Sequence, residues 1–167
     1  VQLKPRRIVV ASLIEAEARA AVKTLEGEFG DDIAFVPSWG NLFVPSDMAT
    51  LHRKEMLGDR SNRRSLLKWL YGDFDTAYKS NHLVSMIRLH RPEVIVDCVN
   101  TATGLSYQNV FEGAHKVLEW LGDDGYDEKG LEDLEGFLLS QSTPQLIRHV
   151  RFVHRATSEY GTHVYVK

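Results

Sequence analysis

Three short clusters of small and polar residues are the parts of this sequence that could hold a ligand. Each follows an apolar run of strand length, and in an open parallel sheet ligands bind beyond the carboxyl ends of the strands. Small side chains at those ends let a flat ligand approach the backbone. Strand ends are also turns, which are small and polar in any protein, so each cluster alone has a purely structural explanation. The residues concerned are Ala11, Ser12 and Leu13; Gly40 and Asn41; and Asn100, Thr101, Ala102 and Thr103.

The strand that leads into the third cluster is the clearest in the sequence. Pro92 ends the preceding helix, and an apolar run from Val94 to Val99 follows, which predicts a buried parallel strand. Asp97 interrupts this run. Because a buried carboxylate needs a partner or a shifted pKa, we expect Asp97 to bond a neighbouring backbone group. The adjoining Cys98 is interpreted as a small core residue rather than a nucleophile.

Strand-like and helical patterns alternate along the chain. After the first strand, Ala18, Val22 and Leu25 recur at helical spacings of four and three residues. This alternation predicts an α/β fold with a mostly parallel sheet flanked by helices. Residues at about 42–80 are predicted to form a helical insertion that contacts a substrate or partner. The predicted strands lie at 6–12, 31–37, within 91–104 and at 162–166, and the predicted helices at 14–29, 45–57, 63–71, 81–89, 107–121, 131–139 and 143–158.

Length and composition exclude several classes of protein. The chain has 167 residues, 43% of them hydrophobic and 26% charged, which suits one domain with a real core. A net charge of -3 argues against a primary nucleic-acid binder. Cys98 is the single cysteine, so no internal disulfide or multi-cysteine metal site can form, which fits the cytoplasm. No apolar run approaches the roughly 20 residues needed to span a membrane.

Histidines give no metal-binding pattern. His149 and His154 are five residues apart, which does not place them on one helix face, and no H-E-x-x-H motif occurs. We therefore expect no metal site.

Two arginine clusters and one tryptophan are further candidates for binding. Each cluster could meet a phosphate, a nucleic acid or an acidic partner, or could be a solvated face paired with local glutamates. Trp39, at a strand end, could stack on a base. The clusters are Arg60, Arg63 and Arg64, and Arg148, Arg151 and Arg155.

Several segments, taken in order, resemble extended short-chain dehydrogenase/reductases of the sugar-nucleotide epimerase and dehydratase type. The segment 89–102 is similar to that family's fourth strand, in which a proline and an acidic residue precede an apolar run ending in small residues. Residues 143–147 and 161–166 resemble its next helix and fifth strand, and the run ending at Ser12 resembles its second strand. The resemblance implies a Rossmann-like α/β fold, incomplete at both ends, in a single domain or fragment spanning 1–167.

The chain departs from the family at two motifs. The glycine-rich G-x-x-G-x-x-G turn is absent, with no glycine in the first 26 residues, so the cofactor pyrophosphate lacks its cradle. The catalytic Tyr-x-x-x-Lys is absent too, since Tyr160 is followed four residues on by Val164, and Tyr165 is only two before Lys167. We therefore expect weak or absent cofactor binding and no turnover by this chain alone, and we assign no catalytic residue.

The resemblance also implies roles for the three clusters, with NAD or NADP as cofactor. Ala11–Leu13 would border the adenosine ribose, Gly40 and Asn41 the adenine, and Asn100–Thr103 the nicotinamide. The parent protein would be an oxidoreductase or epimerase acting on a small molecule, with a homo-oligomer left open. Two alternatives remain: a non-catalytic interaction module that uses a basic helix face, and an enzyme that binds another nucleotide at the same strand ends.

Overall fold

The computed structural model describes residues 4–99, 109–122 and 127–167. Four strands and eight α-helices occur in these ranges, with 3₁₀ turns at Gly30–Asp32 and Ser46–Met48. None of the helices there combines the length and apolar character of a membrane span. In chain order the elements are β1 (Arg7–Ser12), α1 (Glu15–Phe29), β2 (Ala34–Trp39), α2 (Arg53–Gly58), α3 (Arg60–Tyr71), α4 (Phe74–Ser80), α5 (His82–His90), β3 (Val94–Val96), α6 (Val110–Gly122), α7 (Glu128–Leu139), α8 (Ser142–Tyr160) and β4 (Val164–Val166).

The strands form two parallel pairs. β1 pairs with β2, with Arg7 opposite Ala34 and Ser12 opposite Trp39. β3 pairs with β4, with Val94 opposite Val164. The predicted α/β class, the alternation of strands with helices along the chain and the parallel direction of the paired strands are therefore confirmed. The described strands do not form one continuous sheet, because β1 and β3 are not paired with each other.

The core lies among the helices rather than between helices and sheet. Phe152 of α8 sits at its centre, with its ring 5.9 Å from Trp69 and 5.2 Å from Phe74. Leu66, Trp69 and Leu70 recur at helical spacings, so α3 turns one apolar face towards α8. Other fully enclosed side chains of this core include Val44, Val84, Leu139 and Ala156.

Side-chain caps begin helices α3, α4 and α5. Asp59 accepts from the Asn62 amide at 2.9 Å, so α3 begins three residues before the predicted start at 63. Asp73 caps α4 by accepting from the Thr76 amide at 2.8 Å. Helix α4 was not predicted, because seven residues are too few to establish a helical period. Asn81 caps α5.

The prediction that the third strand is buried is wrong for one of its faces. Val94 and Val96 are 52% and 67% exposed, and their partners Val164 and Val166 are 46% and 50% exposed. Ile95, on the opposite face, packs against the helical core. Successive strand residues point to opposite faces, and described helices cover only the Ile95 face.

The first arginine cluster joins α3 to α7. Arg63, whose side chain is 6% exposed, pairs with Glu135 at 2.9 Å and Glu132 at 3.1 Å. Its guanidinium also donates to the carbonyls of Leu57 and Gly58. Burial raises the pKa of Glu135, but hydrogen bonds from Arg63 and Arg64 outweigh burial, so the net pKa of Glu135 is lowered. The interpretation as a solvated face paired with local glutamates is therefore wrong for Arg63, because its side chain is buried and its glutamate partners belong to another helix.

The second arginine cluster holds α8 against α4. Arg148 donates to the Gly72 carbonyl. Arg151 lies over the Phe74 ring, with its guanidinium carbon 4.1 Å from the centroid. Arg155 pairs with Asp75. These guanidinium groups therefore contribute to helix packing within the chain.

Candidate functional site

The carboxyl end of β2 and the loop after it contact helices α5 and α8. His82, at the start of α5, forms a hydrogen bond of 2.8 Å with the Trp39 carbonyl at the end of β2. Phe43, in the following loop, contacts His149 of α8, with ring centroids 4.7 Å apart. His149 lies close enough to Asp97, just beyond β3, for that carboxylate to affect its pKa. The loop after β2 thus contacts α8 at His149, and the Asp97 carboxylate beyond β3 acts electrostatically on the same side chain.

Asp97 is the most constrained polar group at these ends. Its carboxylate accepts from the Tyr165 hydroxyl, from Lys167 Nζ at 2.9 Å and from the Val99 amide at 2.9 Å. Lys167 also donates to the Val99 carbonyl at 3.1 Å. The predicted bond from Asp97 to a neighbouring backbone group is confirmed.

The pKa shifts of this cluster favour an ionised Asp97 carboxylate beside a neutral Tyr165 and a neutral His149. Burial raises the pKa of Asp97, but the three hydrogen bonds outweigh burial, so the net pKa is below the ordinary value. Burial and the Asp97 carboxylate raise the pKa of Tyr165. Burial lowers the pKa of His149 despite the nearby carboxylate.

Gly40 and Asn41, predicted to lie near an adenine, form a tight turn after β2. Gly40 has φ +124°, and a Cβ there would come within 2.5 Å of His82 Nε2, so this position requires glycine. Asn41 is 8% exposed, and its side-chain oxygen accepts from the Phe43 amide at 3.0 Å. The Asn41 amide donates to the Ala49 carbonyl at 2.7 Å. In this structure both residues shape the loop.

Ala11, Ser12 and Leu13, predicted to border a ribose, lie beside that turn. The Ser12 carbonyl accepts from the Gly40 amide at 3.0 Å, which brings the first two clusters together. The Ser12 hydroxyl donates to Glu17 at 2.6 Å. Ala11 and Leu13 are exposed, so backbone and apolar surface are open to a flat ligand at the end of β1.

Trp39 is partly exposed and already has one cationic neighbour. The guanidinium carbon of Arg19 lies 5.0 Å from the ring centroid, which is within the range of a cation–π contact. The predicted stacking of a base on Trp39 stays a prediction.

The third cluster, Asn100, Thr101, Ala102 and Thr103, falls outside the residues that the structure describes. Their predicted role on the nicotinamide side therefore remains a prediction. Cys98, just before this segment, is exposed, so its interpretation as a core residue is wrong. The reason is that β3 ends at Val96, two residues earlier.

Sequence reasoning missed the residues that connect the strand ends. Asn81, 1% exposed, donates to the carbonyls of Leu42 and Val44 and caps α5 by accepting from the Val84 amide. An asparagine before a helix is a recognisable cap signal, but its bonds to the 40s loop depend on tertiary contact. Tyr165 and Lys167 alternate along one strand and so share a face, although the sequence does not show that Asp97 lies opposite.

Within the described ranges, no group of three or more histidine, cysteine, aspartate or glutamate side chains is arranged to hold a metal ion.

Comparison with known proteins finds no relationship: no family model, no curated protein and no solved structure matches the chain. The function must therefore be argued from the residues and the geometry.

Proposed function

We propose that this chain is the NAD(P)-binding domain of an oxidoreductase similar to short-chain dehydrogenases and epimerases, and that it has no turnover by itself. The observation that carries this proposal is the arrangement of the two parallel strand pairs. In both pairs the strands run parallel, so their carboxyl ends lie at the same end of each pair, and an open α/β sheet binds its ligand beyond such strand ends.

Connectivity supports a doubly wound, Rossmann-like sheet. Helix α1 connects β1 to β2 and packs on that pair, whereas α5 and α8, which lead into β3 and β4, pack on each other. Crossovers between parallel strands are right-handed. When two successive crossovers run in opposite directions across a sheet, their helices therefore lie on opposite faces of it. A reversal between β1 and β3 is the switch point at which such sheets bind nucleotides.

The chemistry of the strand ends supports a binding role. Exposed Leu13 and partly exposed Trp39, at the ends of the two paired strands, offer apolar surface for an adenosine. The cofactor would supply the hydride, and the protein would supply binding and orientation. Residues around Asp97 would fix the ends of β3 and β4 beside the ligand. Because the glycine-rich turn is absent, we expect only weak affinity.

The proposal is tested by energy transfer from tryptophan to NADH or NADPH. Transfer should grow with millimolar cofactor, and Trp39→Phe should remove more of it than Trp69→Phe, because Trp69 is a core residue that is 7% exposed. Adenosine triphosphate is the control for the alternative that another nucleotide binds here. Equal transfer in the two variants, or full displacement of NADH by equimolar ATP, would argue against a nicotinamide cofactor at these strand ends.

A further inference from the structure

His149 of α8 has a ring nitrogen that is enclosed without being satisfied. Its Nε2 atom is buried and has no hydrogen-bond partner among the described residues. The ring contacts Phe43, which is 5% exposed, with the two centroids 4.7 Å apart and the ring planes tilted by 45°. A neutral imidazole can leave a bare lone pair at this position, whereas an imidazolium carries N–H groups on both nitrogens. Protonation of the closed form would therefore add a buried charge and an unpaired donor.

The charged groups around His149 give a protonated ring little compensation. Burial lowers the pKa of His149, the Asp97 carboxylate raises it, and the Lys167 ammonium group lowers it. The Asp97 carboxylate already accepts three hydrogen bonds, one of them from Lys167. The loop after β2, residues 40–46, contains no titratable side chain. The neutral ring is therefore the form that fits the closed packing.

The loop after β2 is held between α5 and α8. On the α5 side, Asn81 donates to two carbonyls of the loop, and the His82 ring bonds the Trp39 carbonyl at 2.8 Å. On the α8 side, the His149 ring packs on Phe43. A proton on that ring would make it a cation that favours water over an apolar neighbour. The α8 side of the loop is therefore the side that responds to protonation of His149.

We propose that His149 is a pH-sensitive latch, which holds the loop after β2 against α8 while its ring is neutral and releases the loop when the ring is protonated. Opening exposes the ring to water, where its pKa returns to the ordinary value of about 6.5. The open form therefore binds the proton more readily than the closed form.

The direction of the pH dependence follows from the lowered pKa of His149. The stabilisation of the closed loop is complete above about pH 6.5 and is lost as the pH falls from there towards the lowered pKa of the closed form. The latch follows from the contacts of the loop itself. Its effect on cofactor binding rests on the function proposed above, because the loop begins with Gly40 and Asn41.

Hydrogen exchange between pH 7.5 and 5.0, on the chain without cofactor, tests the latch. The amides of Asn41 and Phe43 donate to the Ala49 carbonyl and to the Asn41 side chain, so their protection factors report opening of the loop. Protection factors are corrected for the effect of pH on intrinsic exchange. For one histidine, the opening constant should rise by about 10- to 30-fold over this range.

Matched variants assign the effect to one ring. His149→Phe keeps a ring against Phe43 but cannot take up a proton, so protection at Asn41 and Phe43 should become independent of pH. His149→Gln should also remove the pH dependence, although its poorer packing should lower protection at every pH. His154→Phe is the control, because His154 lies on the same helix and is exposed. It should retain the wild-type pH dependence.

Three outcomes would overturn the proposal. The first is protection at Asn41 and Phe43 that does not change with pH in the wild type. The second is a pH dependence that survives in both His149 variants, which would assign it to another group such as His82. The third is protection equal to that of the Leu66 amide in α3 at every pH, because the loop would then open only with global unfolding. Cofactor titration at pH 7.5 reports on the proposed function separately, so the two can fail independently.

Discussion

Replacement of Asp97 by asparagine is the most informative single change at the strand ends. The carboxylate accepts three hydrogen bonds, from Tyr165, Lys167 and the Val99 amide. Asparagine keeps the shape and one acceptor oxygen, which can still serve the Val99 amide. The NH₂ group of the asparagine then faces the Tyr165 hydroxyl and the Lys167 ammonium group, which are both donors. The two charge-assisted hydrogen bonds from these groups are therefore lost.

The expected cost follows from those two bonds. A bond to a charged group contributes about 1.5–3 kcal/mol. The Lys167 side chain is 47% exposed, so its share is under about 1 kcal/mol. Together the loss is about 2–3 kcal/mol at neutral pH. With an m-value of about 2–3 kcal/mol/M in urea, the unfolding midpoint should fall by about 1 M.

The stability difference between wild type and Asp97→Asn should depend on pH in a definite direction. Since the folded pKa of Asp97 is lowered, its stabilisation is fully present above the unfolded pKa of about 3.9 and is lost as the pH falls through the lower folded pKa. The gap between wild type and Asp97→Asn, measured by urea unfolding, should be constant from pH 7 to 5 and shrink below about pH 4. Equal midpoints at pH 7, or an undiminished gap in acid, would refute the reasoning. Tyr165→Phe should reproduce part of the loss.

Two further changes test the packing with matched controls. Arg63→Ala leaves the carbonyls of Leu57 and Gly58 without their side-chain donor and leaves Glu135 paired with Arg64 alone, so it should cost about 2–3 kcal/mol in urea unfolding. Arg64→Ala, whose native side chain is 58% exposed, should cost less than about 1 kcal/mol; similar costs would contradict the assigned burial. Gly40→Ala combines a strained φ with a clash and should lower stability by about 2–3 kcal/mol. Gly27→Ala, in helix α1 with open space around it, should instead raise stability by up to about 1 kcal/mol, and a loss at Gly27 as large as at Gly40 would undermine that account.

Local patterns in the sequence predicted most of the secondary structure. The apolar spacing of α1 and the run before Ser12 led to elements close to those observed. The short helix α4 and the early start of α3 depend on caps at Asp73 and Asp59, which periodicity alone does not reveal. Element order and parallel direction also follow from local patterns.

The burial of the strands and the site contacts could not be predicted in the same way. An apolar run such as Val94–Val96 signals a strand suited to burial, but it does not show that one face lacks a covering element. The contact between Asp97 and Lys167 joins residues 70 positions apart in the chain. The contact between Phe43 and His149 also joins residues that are far apart in the chain. Such pairs depend on tertiary packing, which a single sequence does not contain.

The cofactor proposal is tested most directly by titrating the isotope-labelled chain with NAD⁺ and NADP⁺ and following each backbone amide by NMR. The account predicts saturable shifts with a dissociation constant of about 1 mM or weaker, largest at Ser12, Leu13, Gly40 and Asn41, where the ends of β1 and β2 meet. Shifts confined to the arginine face of α8, or no shifts at millimolar cofactor, would contradict it.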